Sequence, residues 1–119
     1  MSENAEDVIG QIEISIEQAK EVVDVMKKLQ RLTDNQDFKD IVLDGYFLDE
    51  ASRLVLIKAE PSQQSEKDQK LINDSITAIG HFRQYLSTIM QTGKAAEHAI
   101  GADEQTIEEI LAEQSQGVN

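Results

Sequence analysis

Leu71-Ile72-Asn73-Asp74-Ser75-Ile76-Thr77-Ala78-Ile79-Gly80-His81-Phe82-Arg83-Gln84-Tyr85-Leu86-Ser87-Thr88-Ile89-Met90, continuing to Ala96 and Ile100, is the stretch that decides the fold. Leu71, Ile72, Ile76, Ile79, Phe82, Leu86, Ile89, Met90, Ala96 and Ile100 recur at helical spacing. A turn of 3.6 residues gathers them into one stripe. A helix over the whole stretch would be roughly 45–50 Å long, at about 1.5 Å per residue. A compact domain of this chain length is only about 35 Å across. The helix is therefore broken, or the molecule is elongated, or the stripe meets another chain.

A second run points the same way. Ile9, Ile12, Ile16, Ala19, Val23 and Met26 alternate spacings of three and four, the seam of a coiled coil or helical hairpin. Val8, Val22 and Leu29 widen that stripe toward burial in a bundle. Acids crowd the start of this helix, and Lys27, Lys28 and Arg31 its end, both complementing the helix dipole. Its expected span is Ala5–Leu32.

Between the two runs lies shorter material. Thr33 to Asp37 is a polar break with good N-cap residues. A short helix carrying Phe38, Ile41 and Val42 follows, with Gly45 suited to end it. Another helix runs from Leu48 to Glu60, capped by Asp49, with Ala51, Leu54, Val55 and Ile57 as its apolar face. Pro61 stops it, because the residue before proline is pushed out of helical geometry. Ser65-Glu66-Lys67-Asp68 resembles a capping box and starts the long helix. Within that helix Gly80 and Gly93 are places where another backbone can come close, or, for Gly93, where the helix ends. Gly101 marks a further break before a terminal helix over Glu104–Glu113.

The expectation is an all-α fold. Two long helices, Ala5–Leu32 and Ser65–Ile100, form an antiparallel hairpin, and the short helices between Asn35 and Glu60 pack across one end. A single helical domain covers residues 1–114, and 115–119 form a disordered tail. If the seam exceeds what one chain can cover, it closes in a symmetric oligomer.

Composition narrows the function. The formal net charge is −12, from 23 acidic and 11 basic residues, which repels nucleic acid and anionic membranes at long range. That excludes direct nucleic-acid binding and leaves solubility, a basic partner or nucleic-acid mimicry as its meaning. Cysteine is absent, which removes disulfides, thiol catalysis and thiolate metal sites. No run approaches the roughly 20 apolar residues of a membrane span. The acidic start lacks the layout of a signal peptide, so a soluble intracellular protein is expected. Aromatics make up only 4%, so the core is aliphatic, and Phe38, Tyr46 and Phe47 cluster where short helices pack.

Catalytic chemistry finds no foothold. His81 and His98 are about 25 Å apart on one straight helix and cannot share a metal there. Asp34, Asp37, Asp40 and Asp44 lack the glycine and glutamate register of a calcium loop. No catalytic residues, metal site or cofactor are expected, and the chain is read as non-enzymatic. Four residues are candidates for partner binding: Arg53, Arg83, Tyr46 and Phe47. Each arginine has its stem beside apolar residues and a head that pairs with a carboxylate, either within the chain or on a partner. Tyr46 and Phe47 form either a local core or an aromatic binding patch.

Asp37 to Phe47, then Glu50-Ala51-Ser52-Arg53-Leu54-Val55, Pro61, Ala78-Ile79-Gly80 and Phe82 to Leu86 resemble a group of small helical proteins encoded by tailed bacteriophages. The resemblance covers about half the chain and contains no catalytic signature. It implies viral origin and a non-enzymatic role, in the host cytoplasm, the virion or both. Two functions remain open: a structural or assembly protein of the particle, or a host-directed protein that occupies a basic surface on a host enzyme. The partner is correspondingly another copy, another phage protein or a host protein.

Overall fold

In the computed structural model, which describes residues 4–117, every regular element is helical. Helix α1 spans Ala5–Thr33 and α2 is a single turn, Gln36–Phe38. A π-helix, Lys39–Glu50, leads directly into α3, Ala51–Lys58. A 3₁₀ turn at Pro61–Gln63 precedes α4, Glu66–Gln116. The described residues gather into two compact units: 4–28 with 89–117, and Leu29–Thr88.

In the first unit α1 and α4 pack as an antiparallel pair. Met26 lies against Gly93, while Val23 and Lys20 border a groove with Glu97 and Ile100, so the two helices run in opposite directions. Ile16, Val23 and Met26 are buried, with Met26 at 1% exposure. These are seam positions of the three–four repeat, and the expected hairpin is the observed one. Gly93 is buried and helical rather than a helix end. A Cβ there would lie 2.7 Å from Met26 Cγ, inside contact distance, so a hydrogen is what lets α1 come this close. Gly101 is likewise helical, and the expected terminal helix is simply the last part of α4. The about 1 kcal/mol that each glycine costs a helix is too little to break one held by tertiary packing. Ser115 and Gln116 belong to α4, and Val118 and Asn119 lie outside the described residues.

The second unit is built around Leu54, Ile72 and Ile79, with Tyr46, Phe47, Ala51, Ile57 and Ile76 packed on them. Its entry is capped as the polar break predicts: Phe38 N donates to Asn35 Oδ1 at 3.0 Å. The expected helix end at Gly45 is absent, and Asp49 caps nothing. Backbone from Gln36 to Lys58 is continuously helical, and no glycine takes positive φ. The reason lies in the spacing of what is buried. The partly buried residues are Phe38 and Lys39, Val42 and Leu43, Gly45 to Phe47, then Glu50 and Ala51, one group about every four positions. A 3.6-residue turn would carry that row off the core face; a turn widened to i→i+5 bonding keeps it there. Gly45 permits the wide turn, since a Cβ would sit 2.9 Å from the Asp40 carbonyl oxygen.

Sequence periodicity also misplaced individual side chains. Val55 and Leu71 were expected on buried stripes, yet both are mostly exposed. Gly80 meets nothing within 4 Å, so no backbone approaches it. The turn after α3 follows expectation. Glu60 is extended before Pro61, and Asp68 N donates to Ser65 Oγ at 3.1 Å. Two glutamine amides then tie the turn together. Gln64 Nε2 donates to the Lys58 and Glu60 carbonyls at 2.9 and 2.7 Å. Gln69 Nε2 donates to those of Lys58 and Gln63 at 3.0 and 2.8 Å. They satisfy carbonyls that a helix end leaves without partners.

Candidate interaction surface

All five aromatic residues of the chain fall within Leu29–Thr88. Three form a ring cluster: Phe82 of α4 lies 5.4 Å from Phe47 and 6.3 Å from Tyr46, centroid to centroid, with tilted planes. Such tilted contacts suit the quadrupoles of the rings. Tyr46 and Phe47 are half-buried and packed on the Leu54–Ile72–Ile79 core. They pack on the core while staying partly exposed. Phe82 closes the cluster from α4, and Tyr85, one turn on, is exposed.

Arg53 reaches back one turn. Its Nε donates to Glu50 Oε2 at 2.9 Å, and its second terminal nitrogen pairs with Glu50 Oε1. This fork geometry is the strong form of an arginine–carboxylate contact. The hydrogen bond from Arg53 holds the Glu50 carboxyl below its ordinary pKa, and the same bond raises that of Arg53. Both side chains stay open to solvent, so screening limits what the pair adds to stability. Arg83 is exposed on α4 beside Phe82, and no ion pair among the described residues engages it. Thus Tyr46 and Phe47 sit on the π-helix and Arg53 on α3, paired with Glu50, while Arg83 stands on α4.

The residues that sequence periodicity missed are the outward ones. Leu48 is 59% exposed, Val55 57% and Leu56 71%. Leu48 lies near the end of the π-helix and Val55 and Leu56 on α3, and all three face away from the core. Val55 and Leu56, with Ala51 and Ser52, line a shallow open depression. The inward side of the same helix carries Leu54 and Ile57. A segment apolar on both sides is the signal that was present: Leu48 to Ile57 holds more aliphatic residues than one buried face of a short helix needs.

The first unit offers a different groove, walled by Glu17, Lys20, Glu21, Asp24, Lys27 and Glu97 over Val23 and Ile100. Both signs alternate there, and Lys20 already pairs with Glu17 at 3.4 Å. Four acids there outnumber two lysines, above the two aliphatic residues of the floor. Among the described residues, no group of three or more His, Asp or Glu could hold a metal, and no helix is long and apolar enough to cross a membrane. No protein-family model, curated protein or solved structure gives a significant match to this chain.

Proposed function

We propose that this chain is a non-enzymatic helical protein that works by binding other proteins, and that it is a structural or assembly component of a tailed-bacteriophage particle. The observation that carries the first part is the outward side of α3. A sizeable core is already assembled around Leu54, Ile72 and Ile79, yet Leu48, Val55 and Leu56 stay more than half exposed. Apolar side chains left together on a helix face are the usual mark of a contact surface. The phage assignment rests on the resemblance of Asp37–Phe47 and the segments after it. Mass spectrometry of purified virions and proheads is expected to find the chain at fixed stoichiometry. Its absence from both would remove the assembly role.

A second reading is favoured by charge. A chain at −12 that carries exposed acids along the π-helix suits a basic surface on a host enzyme. In that case the chain is found in infected cytoplasm and not in particles. The complex recovered with it is lost at high salt, because exposed charge pairs are screened. Self-association is a further form of the same surface chemistry; light scattering at high micromolar concentration distinguishes monomer from oligomer.

A further inference from the structure

The exposed side of the π-helix and α3 is not uniform. Asp40, Asp44 and Asp49 follow one another at intervals of four and five residues, about one wide turn each, and all are exposed. Leu48 lies between Asp44 and Asp49, Val55 and Leu56 lie beyond them, and Ile41, 70% exposed, stands next to Asp40. The strip therefore carries its three aspartates, with Ile41 and Leu48 among them, in its first part, and ends on Val55 and Leu56. No ion pair among the described residues neutralises these three aspartates. Gln36 gives Asp40 a neutral hydrogen bond at 2.8 Å, and Arg53, on α3, is committed to Glu50. Lys39 lies on the half-buried side.

We infer that this strip is a docking site for a basic amphipathic helix of another protein, with Lys or Arg over Asp40, Asp44 and Asp49 and aliphatic residues over Leu48, Val55 and Leu56. The inference rests on the interaction role proposed above and names the chemistry of the partner. A second copy of this strip is a poor occupant. Aligned parallel, it sets aspartates against aspartates; aligned antiparallel, it buries aspartates against Val55 and Leu56 without a countercharge. A basic amphipathic helix meets both the aspartates and the aliphatic residues with complementary groups. The strip is about 25 Å long, which one helix of about 16 residues covers. An interface of that size is smaller than a standard one, so micromolar affinity and fast release are expected.

The test uses the full chain and a fluorescent synthetic helix of about 16 residues, lysines at one end and leucines along one face, read by anisotropy. A scrambled peptide of the same composition is the control. The expected result is micromolar binding to the native chain and clearly weaker binding of the scrambled peptide. Leu56→Ser should weaken binding about tenfold, as loss of a buried anchor does. Asp40→Asn, Asp44→Asn and Asp49→Asn together should flatten its salt dependence, whereas Glu104→Gln, Glu108→Gln and Glu109→Gln on α4 should not. Equal binding of the scrambled peptide, or equal loss from both triple variants, would show general attraction to an acidic protein and overturn the site. Self-association that Leu56→Ser abolishes would also overturn it, by giving the surface to a second copy. If no peptide binds while virions contain the chain at fixed stoichiometry, the strip falls and the assembly role stands.

Discussion

The two compact units use their apolar residues in opposite ways. In the first, the α1–α4 pair closes its seam: Met26 is buried to 1%, and Gly93 gives up a side chain so that the helices can meet. No aromatic residue takes part, and the seam follows a regular three–four repeat. In the second, Leu29–Thr88, a wide helical turn rotates Tyr46, Phe47 and Ala51 onto the core while Leu48, Val55 and Leu56 face water. The seam is sealed, although Ile14 and Leu111 stay more than half exposed elsewhere on that pair. A helix that is apolar on both sides fills a core and keeps a surface.

The sharpest way to break this contrast is to truncate one residue of each kind. Met26→Ala should lower unfolding free energy by about 2–5 kcal/mol, as large-to-small changes at sealed sites do. Leu56→Ala, at an open site, should change it by less than about 0.5 kcal/mol. Urea titrations of both variants give the comparison directly. A large effect at Leu56 would mean that the α3 face is covered in the isolated protein.

Next in size is a glycine series along α4. Gly93→Ala forces a Cβ into Met26 and should cost about 1–3 kcal/mol through overpacking. Gly80→Ala and Gly101→Ala meet nothing within 4 Å and should gain up to about 1 kcal/mol from helix propensity. Equal effects at all three would deny the close crossing. In the other unit, Gly45→Ala presses on the Asp40 carbonyl and should cost about 1 kcal/mol. Faster amide exchange across Lys39–Glu50 should accompany it, and a stabilised variant would argue for an ordinary α-helix there.

Smaller again is the turn before α4. Gln69→Ala removes the bonds to the Lys58 and Gln63 carbonyls and should cost about 1 kcal/mol by the same urea assay. The smallest effect belongs to Glu50 and Arg53. Glu50 is held below its ordinary pKa by Arg53, so the pair contributes above the unfolded-state value of glutamate. That contribution disappears as pH falls through the lower folded-state value. Native Glu50 should therefore give a slight stability loss on acidification below about pH 4.5, absent in Glu50→Gln and reduced by salt. No difference between native and variant would leave the pair without energetic effect.

Much of this architecture is readable in the residues. The three–four repeat from Ile9 to Met26, the Asn35 cap, Pro61 and Ser65 place α1, the turn and the start of α4. What was not readable depended on neighbours. Gly45 and Gly93 are both helix-weakening by propensity, and only packing shows that one permits a wide turn and the other a close crossing. The four-to-five spacing of Phe38, Val42, Tyr46 and Ala51 was visible, but a 3.6-residue template hides it. Val55 sits next to Leu54 in an apolar run, and only the rotation of the preceding turn decides which of them faces out. Arg53 and Glu50, three apart, were an ion pair in waiting; the exposed Leu48 and Leu56 were overlooked because an apolar residue is read first as core.

The central claim is that this chain acts through the open side of the π-helix and α3. Because the sequence contains no cysteine, a single Leu56→Cys substitution provides one clean thiol. Its rate of alkylation can be compared between the purified protein and the protein in the cell that makes it, with Glu108→Cys on α4 as reference. The account predicts rapid labelling of the purified chain at both positions and protection at position 56 alone in the cell. Equal labelling at position 56 in both settings would contradict it.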